Sequence, residues 1–347
     1  MTRVVPWDGD TGRWNAVLER APDATPYHFA EWHAVMTDTL GHEALYHVAV
    51  NDGGAWTGVL PLVRVRTPVL GHFLVSMPFL NAGGPAGEPS ATRTLAAWAA
   101  DEARRARCDL LEMRMRQPLA GRPTTDADPL RLTDRKITVQ LDLPATAAEL
   151  WQRFPAKLRS QVRRPMREGF DVRFGVAELA AFHVVYAHTM HALGTPALPL
   201  RFFEAVTGAI ARVVEVAVVY RGDEPVAAGF GFLWRDTFEL HWAGWSRRWQ
   251  RAAPNMLLYW ALMEQMVARG ARRFDFGRCT PGAATHAFKR QWGGVDVALP
   301  WLQWSATNRT APPTADRGAI RFASACWRRL PYAMTARLGP TLARRLP

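Results

Sequence analysis

Apolar positions along the chain recur at two spacings, and the points where the spacing changes outline its elements. Phe29, Trp32, Val35 and Met36 share one face at helical spacing, which predicts a helix near residues 28 to 39 after a polar leader. Residues 44 to 51 and 56 to 65 read as strands, and the Asp52-Gly53-Gly54 turn between them predicts a hairpin. Next come an apolar run at 69 to 76, a Gly/Pro loop at 81 to 89, a helix at about 91 to 107 and a strand from Leu110 to Met115. Residues 117 to 134 read as a polar, proline-bearing connection.

The order then repeats. A strand at 137 to 143 and a basic helix through 157 to 169 lead to a helix at 178 to 192 and strands at 213 to 220, 225 to 234 and 237 to 244. A helix at 255 to 269, closed by Gly270, precedes the short strand from Arg273 to Phe276. Each half thus carries a hairpin, then a helix, then a strand bearing an acid and an arginine: LEMRMR at 111 to 116 and FDFGR at 274 to 278. The division expected is a first lobe over 1–135, a second over 136–305, a linker over 306–317 and a basic amphipathic tail over 318–347.

With 347 residues, 48% of them hydrophobic, there is ample material for two α/β lobes with separate cores. The start lacks the apolar core of a signal peptide, and no stretch approaches the ~20 apolar residues of a membrane helix, so a soluble, cytoplasmic protein is expected. Cys108, Cys279 and Cys326 are odd in number and lack ligand spacing, which argues against a disulfide framework and against a metal site. The formal charge of +12 points toward polyanions such as nucleic acid, phosphorylated carriers or acidic lipid, although an arginine surplus with abundant alanine also follows from base composition alone. No motif for sequence-specific DNA reading is present. P-loop and dinucleotide fingerprints are also absent. The arginines of 318–346 interleave with Ile320, Phe322 and Trp327, which fits either a tail packed on its own lobe or a helix lying peripherally on anionic lipid of the inner membrane.

The richest stretch runs from Pro254 to Trp292. Pro254-Asn255 opens a helix with Leu258-Tyr259-Trp260, FDFGR follows at 274 to 278, and Phe288-Lys289 stands two residues before Gln291-Trp292-Gly293. With KLRSQVRR at 157 to 164, Met190, Leu193-Gly194-Thr195-Pro196, and LVSMPF with Gly83-Gly84, this ordered set resembles the Fem-type (FemAB-like) branch of the GNAT acyltransferases. It is most similar to members associated with exosortase and exopolysaccharide systems. The resemblance spans most of residues 28 to 304. It implies an α/β (α+β) fold of two tandem GNAT-like lobes, each a mixed, mostly antiparallel sheet flanked by helices, with a basic helical tail. It also implies acyl or aminoacyl transfer to an amine or hydroxyl of a cell-envelope, peptidoglycan or exopolysaccharide precursor, by direct attack in a cleft and without a covalent enzyme intermediate.

Such chemistry needs a polarised carbonyl and a donor for the developing oxyanion. Lys289, beside Phe288 and Trp292 on a short predicted helix, fits that task, and the Phe-Lys pair of the family implies it; a lysine shielding its own helix is the bland counterpart. Asp275 stands on the opposite strand face from Phe274 and Phe276, where it could orient the acceptor, take its proton or pair with Arg278 or Arg273. His241, next to Trp242, is a candidate base or a packed residue. The basic run Lys157, Arg159, Arg163, Arg164 and Arg167 has spacings of three and four that place several cations along one helix face, suited to phosphate or to plain solvation, and Arg278, Tyr259, Phe288 and Trp292 complete the candidate substrate-binding set. Cys279 lacks a clear partner for nucleophilic work. The acyl donor is expected as a co-substrate, acyl-CoA or aminoacyl-tRNA, with no tightly bound cofactor; the partner expected is an anionic sugar- or lipid-linked precursor. The Gly-rich pyrophosphate loop of CoA-using relatives is missing in strict form, and its nearest approximation, Arg278 to Ala283, is interrupted by Pro281, which has no N–H. A non-catalytic scaffold of the polysaccharide export machinery is the alternative from another class.

Overall fold

The computed structural model describes residues 2–67, 71–121, 130–306 and 317–346. Contacts divide the chain into two compact units: Met1–Arg135 with Ala298–Arg321 and Arg344–Pro347, and Lys136–Val297 with Phe322–Ala343.

In the first unit, β1 (Arg3–Pro6) and α1 (Thr11–Arg20) occupy what reads as a polar leader. The helix forms there because Asp10 caps it, accepting from the Arg13 N–H at 2.9 Å, and because Trp14, Val17 and Leu18 share its buried face. The short α2 (Trp32–Ala34) continues as a helical turn to Thr39. Then follow β2 (Glu43–Val50), β3 (Trp56–Thr67), β4 (Gly71–Ser76), the two-residue β5 (Ala86–Gly87) inside the expected loop, α3 (Pro89–Arg105) and β6 (Leu110–Arg114). The strand order is β1-β2-β3-β4-β6, with β5 on β3. Residues 69 and 70 of the expected run and 122–129 of the expected connection lie outside the described residues.

The boundary between the units falls within β7 (Arg131–Asp142), which starts six residues before the strand predicted from Ile137. The second unit continues through α4 (Ala147–Arg153), α5 (Ala156–Arg167), β8 (Phe170–Phe174), α6 (Leu179–Leu193) and α7 (Leu200–Ile210). After these come β9 (Val214–Arg221), β10 (Glu224–Trp234), β11 (Thr237–Trp245), α8 (Pro254–Ala268), β12 (Arg273–Cys279) and α9 (Ala284–Arg290). Its strand order is β7-β12-β11-β10-β9-β8. The alternating buried and charged positions of β8, with Asp171 and Arg173 exposed, are those of an edge strand, and its shortness hides it in the sequence.

The repeated order is real in the topology. In each unit one helix crosses between two parallel neighbours, β4 to β6 through α3 and β11 to β12 through α8, while β2-β3, β3-β4, β9-β10, β10-β11 and β7-β12 pair antiparallel. The α8 crossover is apolar nearly all round, and it buries Leu258, Leu262, Met263 and Met266 completely in the core that also holds Phe274 and Phe276.

The units differ from the expected lobes at residues 298–305 and in the tail, which is divided between them. Strand β13 (Val295–Ser305) pairs antiparallel with β6 from Trp301↔Arg114 to Ser305↔Leu110, so residues from Ala298 onward join the first unit rather than the second. Residues 307–316 of the expected linker lie outside the described residues. The tail forms α10 (Arg317–Arg329) and α11 (Tyr332–Ala343), separated at Pro331, while Pro340 is absorbed within α11. α11 packs on α6: Tyr332 stacks on His188 at 3.8 Å between ring centroids, and the Thr335 hydroxyl lies 2.9 Å from His191 Nδ1.

Candidate functional site

The second unit concentrates the predicted chemistry at one end of β12. Alternation buries Phe274 and Phe276 on one face and leaves Asp275 on the other, also fully buried. Its carboxylate accepts from Gln140 Nε2 at 3.0 Å, from the Gly277 N–H at 2.8 Å and from the Thr138 hydroxyl. The pairing with β7 shifts register between Asp275 and Arg278, and Gly277 at the shift has φ of +74°, a conformation that costs glycine little. Asp275 therefore holds a kink, and the kink decides where two carbonyls point.

Those carbonyls meet Lys289. Its ammonium donates to the Gly277 oxygen at 2.5 Å and to the Arg278 oxygen at 3.1 Å, leaving its third N–H without an acceptor among the described residues. The side chain is only 8% exposed although it sits in a helix of seven residues. Burial lowers its pKa, and the neighbouring Cys279, Asp275 and Glu239 oppose that shift. A buried ammonium would cost several kcal/mol without such acceptors, so the two carbonyls keep the cation in place.

Phe288, next to Lys289 in the chain, joins an aromatic cluster. Tyr259 packs edge-on against Phe288 at 5.0 Å and stacks with Phe276 at 5.8 Å and with Trp292 at 6.0 Å. Burial drives the Tyr259 phenol far above its ordinary range, so it stays neutral. The Trp292 indole N–H is buried and has no acceptor among the described residues, a polar atom left for a ligand or water to satisfy.

The third candidate, His241, belongs to the same group. The parallel register places Glu239 opposite Asp275, and His241 Nδ1 lies 3.9 Å from Glu239 Oε1 with the ring edge-on to Trp242 at 4.0 Å. Glu239 is 5% exposed and escapes sequence reading, because an acid in the strand FELHWAG looks solvent-facing when alternation alone is considered. His286 also lies close in sequence: its Nδ1 accepts from the Gly282 N–H at 3.1 Å, so its proton sits on Nε2, which donates to Asp296 at 3.0 Å. That places His286 as a brace for the loop. Cys279 is buried with its thiol pKa pushed up by burial, a poor state for a nucleophile.

The basic residues of α5 spread over a face in which Lys157, Arg163 and Arg167 are exposed and Arg159 is half-buried. Arg163 lies over the Trp151 ring at 5.1 Å, and Arg164 pairs with Glu168 at 3.2 Å. Arg164 also lines a groove of about 710 Å3 with Arg247, Arg248, Trp249 and Arg251 from the loop between β11 and α8. Four guanidinium groups against Glu168 make this groove cationic. Of residues 278–283, the nearest approximation to a pyrophosphate loop in the sequence, Arg278 gives its carbonyl oxygen to Lys289. The available signal was SRRWQR at 246 to 251, directly ahead of Pro254-Asn255.

Comparison with known proteins agrees with this architecture. A family model described as an acetyltransferase (GNAT) domain matches residues 156–290, the stretch from α5 to the end of α9. Among solved structures, FemX superposes with a TM-score of 0.65 at 14% identity, over 87% of this chain and 97% of its own. A C-terminal domain assigned to a lysylphosphatidylglycerol synthetase from Agrobacterium fabrum gives 0.57 at 14% identity, over 86% and 92%. A tandem GNAT protein from the clavulanic acid biosynthesis pathway gives 0.53 at 13% identity, over 88% and 99%. No curated protein matches the sequence. The fold is thus similar to that of these solved structures, a tandem GNAT protein among them, and the stretch matched by the acetyltransferase (GNAT) domain model includes Lys289.

Proposed function

We propose that the protein transfers an acyl or aminoacyl group from a phosphate-bearing carrier to an amine or hydroxyl of an anionic cell-envelope or exopolysaccharide precursor, by direct attack and through a Fem-type site. The observation that carries this reading is the buried Lys289 ammonium, fixed by two backbone carbonyls with one N–H to spare, on the helix whose Phe288 joins the Tyr259 and Trp292 cluster. A donor carbonyl placed against that N–H is polarised. As the acceptor's lone pair forms the new C–N or C–O bond, charge grows on the carbonyl oxygen, and a fixed cation in a dry site meets it without reorganising. The bond to the carrier atom then breaks. His241, seconded by Glu239, receives the nucleophile's proton, and Asp275 acts as a positioning residue through the Gly277 kink.

The cationic groove of Arg164, Arg247, Arg248 and Arg251 suits the phosphates of the donor carrier, acyl-CoA or aminoacyl-tRNA, and the exposed face of α5 suits an anionic acceptor. The name of the lysylphosphatidylglycerol synthetase joins a lysyl group to an anionic phospholipid, which is the pairing of groups supposed here. Mass spectrometry of envelope and exopolysaccharide fractions from cells carrying the wild type or Lys289→Ala tests the reading. An acyl or aminoacyl mass present with the wild type and lost with the variant is expected. The same mass in both refutes the assignment of Lys289.

A further inference from the structure

The tail offers a second surface, independent of the transfer site. α11 has two faces. At four-residue steps Thr335, Gly339 and Ala343 are buried, and the backbone of Ala197 stands 3.3 Å from where a Gly339 Cβ would be. One position earlier at each step, Met334, Leu338 and Leu342 are 48%, 46% and 41% exposed, with Arg337 between them. An apolar row left exposed beside the packed side, where a simple surface helix turns polar, needs a covering surface of its own. α10 repeats the oddity: Phe322 is 72% exposed, the most of any large apolar side chain among the described residues, with the exposed Cys326 and Arg329 at i+4 and i+7. Residues 317–347 contain seven arginines and no aspartate or glutamate.

We infer that the outer face of α10 and α11 docks on an anionic lipid surface. Exposed leucine, methionine and phenylalanine rows flanked only by cations are what an interfacial helix presents, apolar groups to the acyl boundary and guanidinium groups to the phosphates. No helix among the described residues is long and apolar enough to cross a membrane, so the contact lies on the bilayer. A second copy of the chain would bring like charge against like charge, and a nucleic acid would use the arginines while leaving the apolar row in water. Acidic lipid satisfies both features together.

Co-sedimentation of the full chain with vesicles tests this. Vesicles of phosphatidylglycerol mixed with phosphatidylcholine are expected to pellet the protein about tenfold or more better than phosphatidylcholine alone, and salt should weaken the effect. Phe322→Glu with Leu338→Glu should abolish the preference while keeping the thermal transition, because both side chains are exposed; Val176→Glu, at an exposed apolar site on another segment, should leave it intact. Equal pelleting by the two vesicle types, or a double variant that still prefers the acidic vesicles, overturns the inference. So does a wild-type dimer in solution that the double variant converts to monomer. None of these readouts involves turnover, so they stand or fall apart from the transfer chemistry.

Discussion

The two units place a buried acid on the same kind of strand, the one that follows the crossover helix, and treat it in opposite ways. In the first, Glu112 on β6 pairs with Arg114 Nε at 2.8 Å and accepts from Gln303 at 2.8 Å, while Arg114 also donates to the Leu80 oxygen at 2.9 Å and lies 5.0 Å from the Trp301 ring centroid. Acid and cation close on each other. In the second, Asp275 is met by Thr138, Gln140 and the Gly277 N–H, and the cation comes from a separate helix to rest on carbonyl oxygens with one N–H uncommitted. A closed ion pair holds a fold together; a cation displaced from its acid keeps capacity for a substrate. Under the proposed function the same topology serves as a brace in one half and as the transfer site in the other.

Removing the two cations should separate these roles. Lys289→Ala is expected to lower transfer by about a hundred- to a thousandfold while the protein stays folded, as for loss of one oxyanion donor. Arg114→Met should instead cost about 3–5 kcal/mol of stability, because Glu112 is left buried and charged, and Glu112→Gln added to it should recover much of that loss. Chemical denaturation alongside a transfer assay distinguishes the two; a Lys289 variant that only unfolds would erase the contrast. Asp275→Asn loosens the Gly277 kink and should reduce transfer by about tenfold to a hundredfold, since small misplacements of a catalytic group are costly.

Acidity offers gentler probes. Burial lowers the Lys289 pKa, so the ammonium is lost as pH rises through a value below that of an ordinary lysine. Transfer should therefore show an alkaline limb earlier than a surface lysine would give, and Lys289→Arg should push that limb upward whatever its effect on rate. In the first unit, burial first and the Arg344 charge second lower the His42 pKa from the usual 6.5 to about 4. The folded chain there binds the proton less tightly than the unfolded chain, so stability is complete above pH 6.5 and declines as pH falls toward 4. His42→Gln should flatten that part of the stability curve without touching transfer, the smallest of these effects.

Much of this was legible in the sequence because it is local. The Asp52-Gly53-Gly54 turn, the FDFGR alternation and the closing helix with Lys289 are encoded in spacings of a few residues. What escaped depends on partners distant in the chain. No local signal says that Trp301 to Ser305 pairs with β6, nor that Glu239 is buried beside Asp275, because burial of an acid is decided by neighbouring strands. One global signal was available: the chain has forty arginines and only three lysines, Lys136, Lys157 and Lys289, and a lone lysine among so many guanidinium groups marks a place where a compact cation is wanted.

That scarcity also makes the decisive measurement simple. In protein labelled with 13C and 15N at lysine, an NMR titration follows three side chains. The account predicts that one signal, absent in Lys289→Arg, titrates below the ordinary lysine range; that signal titrating within the ordinary range would show that Lys289 is hydrated, and would contradict a dry ammonium poised for a carbonyl.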